Sequence, residues 1–319
     1  MLDKYYRAGK TPALFFYIGG AVRAIMPRWY YRWRGSRMLR KWESRKDADY
    51  LRWRRDFYCR SQAGARLEDK DTGLIPVGDV RVGKFHSRYA IDADKALCYM
   101  PADALVRFHA GDVRDNPEYP TLTKARRLNG RNEDNAVILN LDSIRHWVRP
   151  KDTIPFSEKR PVLFFRGDIY DKPERIRFFE QWADNEMFDL GDTNRSHPSK
   201  WAADFVTVPE HFQYQFILAL EGYDMASSLQ WIMATNCVPV MPKPTVDGWL
   251  MHSRLEPGVH YVEIARDFSD VGEKIKYYTE HPEEAEKIAM ESKKWMKQFS
   301  DKKRERLISL LVVDKYLDK

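Results

Sequence analysis

Apolar positions along this chain change character at about residue 60 and again at about residue 136. In the first region they are aromatic and interleaved with arginine, as in ALFFYIGGAVRAIMPRWYYRWRGSRMLRKW. Their spacing reads as helix, most clearly in DADYLRWRRDFYCR. Between 61 and 110 the apolar pieces are short and set among Gly and Pro (GLIPVGDV, ALCYM, LVRFHAG), a pattern of short strands. From 136 onward continuous apolar runs alternate with amphipathic ones. AVILNL at 136–141 and PVLFFRG at 161–167 are unbroken, as strands buried on both faces are. PERIRFFEQWADN follows as a helix opened by Pro173, and FDLGDTN as a short strand and turn. PEHFQYQFILALEG reads either as a helix running into a strand or as a strand alone. SSLQWIMATN reads as a helix with Ser at its start, CVPVMP and VHYVEI as short strands. VGEKIKYYTEHPEEAEKIAMESKKWMKQF reads as two helices broken at His281-Pro282. The alternation from 161 onward predicts an α/β fold, a parallel sheet covered by helices.

Composition sharpens this in two respects. Residues 1–60 hold 16 Lys and Arg against 5 Asp and Glu, a net +11, whereas the whole chain carries +7, so the rest is about −4. The basic excess is therefore local, and the slightly acidic remainder with no RNA- or DNA-binding motif argues against nucleic acid as partner. Aromatic and basic residues together suit an anionic membrane surface; they equally suit a helix packed by its aromatics with arginines in solvent. The run Ala13 to Met26 is too short to span a bilayer and is broken by Gly19, Gly20 and Arg23. No signal-peptide cleavage pattern follows it. The three cysteines, Cys59, Cys98 and Cys237, are far apart and odd in number, which predicts a reducing compartment.

Three clusters carry candidate chemistry. The first is LEGYDMASS, where Glu221, Gly222, Tyr223, Asp224, Ala226, Ser227 and Ser228 lie between a strand and a helix. A parallel sheet binds ligands at the carboxyl ends of its strands, and free N–H groups at a helix start suit a phosphate. The plainer alternative is a helix cap. The second is FFRGDIYDKPERIRF, with Arg166, Gly167, Asp168, Arg175 and Arg177 at a strand end and helix start. Guanidinium groups there suit a diphosphate. The third is HAGDVRDNPEYPTLTKARR, where Asp112 or Asp115 is a candidate general base, or else forms a turn before Pro117. No P-loop, GxGxxG or GxSxG occurs. Asp92-Ala93-Asp94 has the spacing of a metal motif but reads as a helix cap.

Residues about 105–300 resemble glycosyltransferase family 90, in particular its bacterial lipopolysaccharide branch. The Glu-Gly-x-Asp-x-Ala-Ser pattern, the Met-Pro-Lys-Pro, the His-Tyr strand, the Phe-Arg-Gly segment with its helix-entry Arg, and the Asp-x-Pro loop all occur in order. The resemblance implies a GT-B-like fold, two Rossmann-like domains facing across a cleft, here with an N-terminal helical extension. It implies an inverting transferase that needs no metal and no cofactor beyond its nucleotide-sugar donor, a UDP-sugar. It places the base at Asp115, with Asp112 as alternative, and the diphosphate at Arg175 and the turn from Tyr223 to Ser228. Two positions depart from the pattern: Asp168 stands where the eukaryotic enzymes have a donor-contacting Ser. Relatives also carry a basic residue where this chain has Ser228 and Gln230.

The domain reading is a basic helical region at 1–60, an acceptor-side domain at 61–155, a nucleotide-sugar-binding domain at 156–285 and C-terminal helices at 286–319. The resemblance points to a lipopolysaccharide or other surface glycan as acceptor and to a cytoplasmic enzyme, peripheral on the inner face of the membrane. A non-catalytic nucleotide- or glycan-binding protein of the same fold and a protein O-glycosyltransferase are the alternatives.

Overall fold

The computed structural model describes residues 13–60 and 73–317. Along the chain its elements are α1 (Ala13–Ile25), α2 (Arg28–Lys41), α3 (Ala48–Tyr58), β1 (Ile75–Pro76), α4 (Ser87–Leu97), β2 (Leu105–Val106), β3 (Thr121–Thr123), β4 (Ala125–Arg127), β5 (Ala136–Ile138) and α5 (Ser143–His146). Then come β6 (Arg160–Gly167), α6 (Pro173–Trp182), β7 (Phe188–Asp192), β8 (Tyr214–Leu218), α7 (Leu229–Ile232), β9 (Val238–Pro242), β10 (Val246–Gly248), β11 (Val262–Ile264), α8 (Val271–Glu280), α9 (Pro282–Lys297) and α10 (Lys302–Leu317). The chain divides into two compact units, one of residues 145–244 and 253–298, the other of residues 13–144, 245–252 and 299–317.

The first unit is built on a five-stranded sheet in the order β11-β9-β8-β6-β7, every pair parallel. Alternation along the strands explains its core. Leu163 and Phe165 of β6, Phe216 and Leu218 of β8, Val238 and Val240 of β9, and Val262 and Ile264 of β11 all join one buried cluster. Phe178 and Phe179 of α6, Ile275 of α8 and Ile288 of α9 pack with them. Phe164 alternates to the other face, stacked on Tyr214 with ring centroids 3.9 Å apart. Both faces are thus apolar, which is why the strands are unbroken hydrophobic runs in the sequence. The break at His281-Pro282 separates α8 from α9 as the Pro predicts.

In the second unit strands are short and pair two by two: β1 with β2 antiparallel, β3 with β5 parallel, β4 with β10 antiparallel. Helices supply the rest. Arg126 of β4 is fully buried and donates to the carbonyls of Phe57, Tyr58 and Ala136. Arg54 of α3 donates to both carboxylate oxygens of Glu305 on α10, at 3.2 and 3.0 Å, and to the hydroxyls of Tyr58 and Tyr50.

Several local expectations change. ALCYM is the end of α4 and the turn after it rather than a strand, because Ala96 and Leu97 are on that helix's buried face. Asp92 and Asp94 sit inside α4, so they do not cap it. Asp92 instead accepts the N–H of Ser143 at 2.6 Å, at the start of α5. The helix expected over SSLQWIMATN is a single turn, Leu229–Ile232, and Ser228 makes no side-chain cap bond. The stretch before β8 forms a short 3-10 turn, Val208–Gln213, leading into the strand. The expectations for residues 1–12 and 61–72 fall outside the described residues. Cys59, Cys98 and Cys237 are buried free thiols.

His252 of the second unit is fully buried and accepts the Gly248 N–H on Nδ1 at 3.1 Å. Desolvation pushes its pKa from 6.5 down to about 4. The unfolded chain therefore binds a proton between pH 6.5 and 4 that the folded chain does not, so this stability is present above 6.5 and lost as pH falls toward 4. The loss is on the order of 3 kcal/mol. Thermal unfolding midpoints should fall across that window. Exchange of His252 for Gln, which keeps an acceptor but takes no proton, should reduce the slope without abolishing it, since buried His211 is pushed down to about 4 as well; an unchanged slope assigns the acid sensitivity elsewhere.

Candidate functional site

The strand order identifies one place for a ligand in the first unit. From β6 the chain crosses to β7 on one side, and β8 then returns to the other side of β6. The carboxyl ends of β6 and β8 therefore part at a switch point, where sheets of this kind bind ligands. The segments that follow those two strands, Asp168–Arg175 and Ala219–Gly222, converge there. Gly167 ends β6 with no room for a side chain: a Cβ would stand 2.8 Å from Phe165 Cζ.

Arg175, in the first turn of α6, ties the two segments together. Its Nη1 donates to the carbonyl of Asp168 at 2.8 Å, its Nη2 to Leu220 at 2.7 Å and its Nε to Glu221 at 3.2 Å. Burial pushes its pKa down to about 10, only partly opposed by Asp168, and it stays cationic at neutral pH. The sequence expectation placed this guanidinium on a ligand. The structure places it under the turn, spending three donors on backbone carbonyls while contributing its charge.

A second cation lies beside it. Lys172 Nζ pairs with Asp168 Oδ2 at 2.5 Å, donates to the Tyr170 carbonyl at 2.9 Å and stands 5.3 Å from the centre of the Tyr223 ring. Its stem passes Gly222, where an added Cβ would lie 3.7 Å from Lys172 Cε and 3.5 Å from Arg175 Nη2. Asp168 also accepts from Asn194 Nδ2 at 2.8 Å and from the Tyr170 N–H at 2.9 Å. Burial acts against its charge, but the bonds from Lys172, Asn194 and Tyr170 outweigh it and hold the carboxyl below its usual range. Asp168 thus does not face a bound anion alone. Tyr223 donates to Asp171 at 2.8 Å, tying the turn to the loop after β6.

Beyond Gly222 the chain buries Asp224, Met225 and Ala226. The Gly222 N–H donates to the Asp224 carbonyl at 3.0 Å. Ser227 and Ser228 are half-exposed, and among the described residues neither hydroxyl has a partner. With only one helical turn after them, the macrodipole argument for this spot loses its weight. Arg166 lies apart from the cluster. It points to the other face of β6, over the Phe164 ring, and pairs with Asp189 at 2.5 Å. Arg177 is also turned away, donating to the Arg266 carbonyl at 2.8 Å.

In the second unit the loop holding Asp112 and Asp115 is held by side-chain hydrogen bonds. Asn116 accepts the Arg127 N–H and donates to the carbonyls of Arg127 and Arg131; Asn135 donates to that of Pro117. Asp112 pairs at 2.6 Å with Lys124, whose side chain is 1% exposed. Asp115 is exposed and, among the described residues, has no polar partner. Among the described residues one group has the spacing to hold an ion, His281, Glu283 and Glu284 at the start of α9; it is largely exposed, as acidic groups without an ion commonly are.

The sequence model of glycosyl transferase family 90 matches residues 136–304. The O-glucosyltransferase LpsA of Dichelobacter nodosus is 38% identical over 231 residues, 72% of this chain and 72% of that protein. This chain belongs to glycosyltransferase family 90. It is also 29% identical to protein O-glucosyltransferase 3 of Homo sapiens over 140 residues, 42% of this chain and 27% of that protein. Protein O-glucosyltransferase 2 of Danio rerio is 32% identical over 81 residues, 25% of this chain and 16% of its own.

For this family 90 glycosyltransferase, the family match contains the whole switch-point cluster, while Asp112 and Asp115 precede it. Sequence reasoning missed Lys172. The signal was its place immediately before Pro173, at the N-terminal boundary of α6. It looked for the missing cation in the turn itself, at Ser228 or Gln230. Gln230 is buried, and the cation beside the turn is Lys172 of the neighbouring loop, paired with Asp168.

Proposed function

We propose that this glycosyltransferase is inverting and metal-independent, of GT-B type, and moves a sugar from a UDP-sugar to a hydroxyl of a lipopolysaccharide or other surface glycan. The observation that carries the reading is the convergence of Lys172, Arg175 and Gly222 at the switch point of a parallel sheet. Two positive charges flank a glycine whose missing side chain leaves the backbone approachable. The diphosphate would sit over Gly222, toward Lys172 and the hydroxyls of Ser227 and Ser228. Asp115, or Asp112, takes the proton of the acceptor hydroxyl as its oxygen bonds to the anomeric carbon. The bond from that carbon to the diphosphate breaks, and UDP leaves with the electron pair. Charge grows on the diphosphate as it leaves, where the cations stabilise it. The name of the Dichelobacter relative makes glucose the first sugar to try. Peripheral attachment to the cytoplasmic face of the membrane belongs to the same reading.

Two measurements test it. UDP, without added metal, should raise the unfolding temperature, and a panel of UDP-sugars should include one that is hydrolysed or transferred. Stabilisation by UDP with no sugar release from any donor would favour a non-catalytic binding protein; neither effect would remove the reading.

Lys172→Met is expected to raise the donor KM about 10- to 100-fold, the worth of one hydrogen bond to a charged group. Lys172→Arg should recover part of this, and Ser228→Arg should tighten donor binding. An unchanged KM in Lys172→Met would place the diphosphate elsewhere. Arg175→Ala should lower both kcat/KM and the unfolding temperature, because it releases three carbonyls as well as a charge.

A further inference from the structure

The N-terminal helices carry an apolar face that is exposed among the described residues. On α1, Phe16, Gly20 and Arg23 turn inward: Phe16 lies under Lys95, a Cβ at Gly20 would stand 2.9 Å from Ile91, and Arg23 pairs with Asp94 at 3.1 Å. At 100° per residue the opposite side is Leu14, Ile18, Val22 and Ile25. Those four are exposed by 65%, 47%, 53% and 83%. On α2 the inward side is Tyr31 and Gly35, both against Tyr99. The side opposite holds Trp29 and Trp33, exposed by 71% and 56%. Such a run of large exposed apolar residues marks an interaction surface.

Charge decides the partner. Residues 13–41 contain seven basic side chains (Arg23, Arg28, Arg32, Arg34, Arg37, Arg40, Lys41) and no acidic one. Arg32, Arg34, Arg37, Arg40 and Lys41 are exposed. A second copy of this surface would bring like charges together, whereas an anionic lipid surface accepts arginines at its headgroups, tryptophans at its interface and aliphatic side chains below. Among the described residues no helix is long and apolar enough to cross a membrane. The 13 residues of α1 span about 20 Å, against about 30 Å of hydrocarbon.

We infer that α1 and α2 are an interfacial anchor that lies in the plane of an anionic membrane, with Leu14, Ile18, Val22 and Ile25 inserted and Trp29 and Trp33 at the headgroup level. The helices are fixed to α4 by Gly20 and Arg23 and to Tyr99 by Gly35, so the anchor holds the second unit in one orientation on the lipid. This goes beyond peripheral attachment in naming the inserted face. It rests on the transferase reading for one consequence alone, that the acceptor is lipid-linked.

The test is flotation of the full chain with vesicles of phosphatidylethanolamine and phosphatidylglycerol, and with phosphatidylcholine alone. Wild type should float with the anionic vesicles. The variant with Leu14, Ile18, Val22 and Ile25 all changed to Ser should bind them at least about 100-fold more weakly, since each removes several buried methylenes. Its unfolding temperature and UDP response should stay close to wild type, because these side chains are largely exposed. Changing Arg32, Arg34, Arg37 and Arg40 to Gln should abolish the preference for anionic lipid. The inference is overturned if wild type does not float, if the Ser variant floats as well as wild type, or if wild type is a dimer that the Ser variant makes monomeric. Loss of UDP binding in wild type would instead remove the transferase reading and leave the anchor standing.

Discussion

Asp115→Asn is expected to lower sugar transfer about 10²–10⁴-fold, the usual worth of a general base, with UDP-induced stabilisation unchanged. An amide has the same shape but cannot take the acceptor's proton. The surroundings of the two candidate carboxylates make this a sharp comparison. Asp115 is exposed and, among the described residues, makes no polar contact, so its amide should leave the unfolding temperature where it was. Asp112 is paired with buried Lys124, so Asp112→Asn removes the carboxylate facing a desolvated ammonium and should lower stability as well as rate. Rate loss without stability loss at 115 identifies the base. Full activity in Asp115→Asn together with a dead but folded Asp112→Asn transfers the role to Asp112, with Lys124 orienting it. Full activity in both makes the loop structural.

Glu305→Ala should destabilise the protein by about 3–5 kcal/mol, the cost of leaving a buried charge without its partner. Arg54 is fully buried, and Glu305 is its acidic partner, taking two of its N–H groups and the Trp249 indole N–H at 2.6 Å. The Tyr58 ring lies on Trp249 at 4.1 Å and 6°. Removing the carboxylate therefore frees the donors of two side chains in one place. Glu305→Gln, which keeps an acceptor, should lose less. Replacing Arg54 and Glu305 together by Leu should recover much of the loss, because no unpaired charge remains. Chemical unfolding of the four proteins checks this, and equal losses for Ala and Gln would show that the packing of residue 305, not its charge, matters.

What the sequence made legible follows from where each signal was local. The parallel sheet was visible because strands covered on both faces are unbroken apolar runs, and Phe164 and Phe165 serve opposite faces of one such run. Pro173 and Pro282 announced two helix starts, because their fixed φ and missing N–H suit the first helical position. ALCYM misled because the buried end of a helix and the turn after it are as apolar as a short strand. Ser227 and Ser228 looked like a helix start, yet the helix stops after Ile232, as residues 233–236 turn toward β9. The site was half legible. Gly222, Asp168 and Arg175 announced themselves as a glycine and charges at strand ends. That Arg175 faces backbone while Lys172 lies over the Tyr223 ring depends on how two loops about 50 residues apart in sequence come together, and no periodicity encodes that.

The division of the chain also sets a timetable. Every residue of the unit that bears the five-stranded sheet precedes residue 299, while the other unit needs α10, at residues 302–317, to close. Arg54 and Glu305 lie 251 residues apart, so the N-terminal helices bury their charge only when a segment encoded after the whole sheet unit joins them. A chain truncated after residue 298 would keep every described residue of the sheet unit and lack α10 with Glu305, so its basic second unit is expected to stay unfolded.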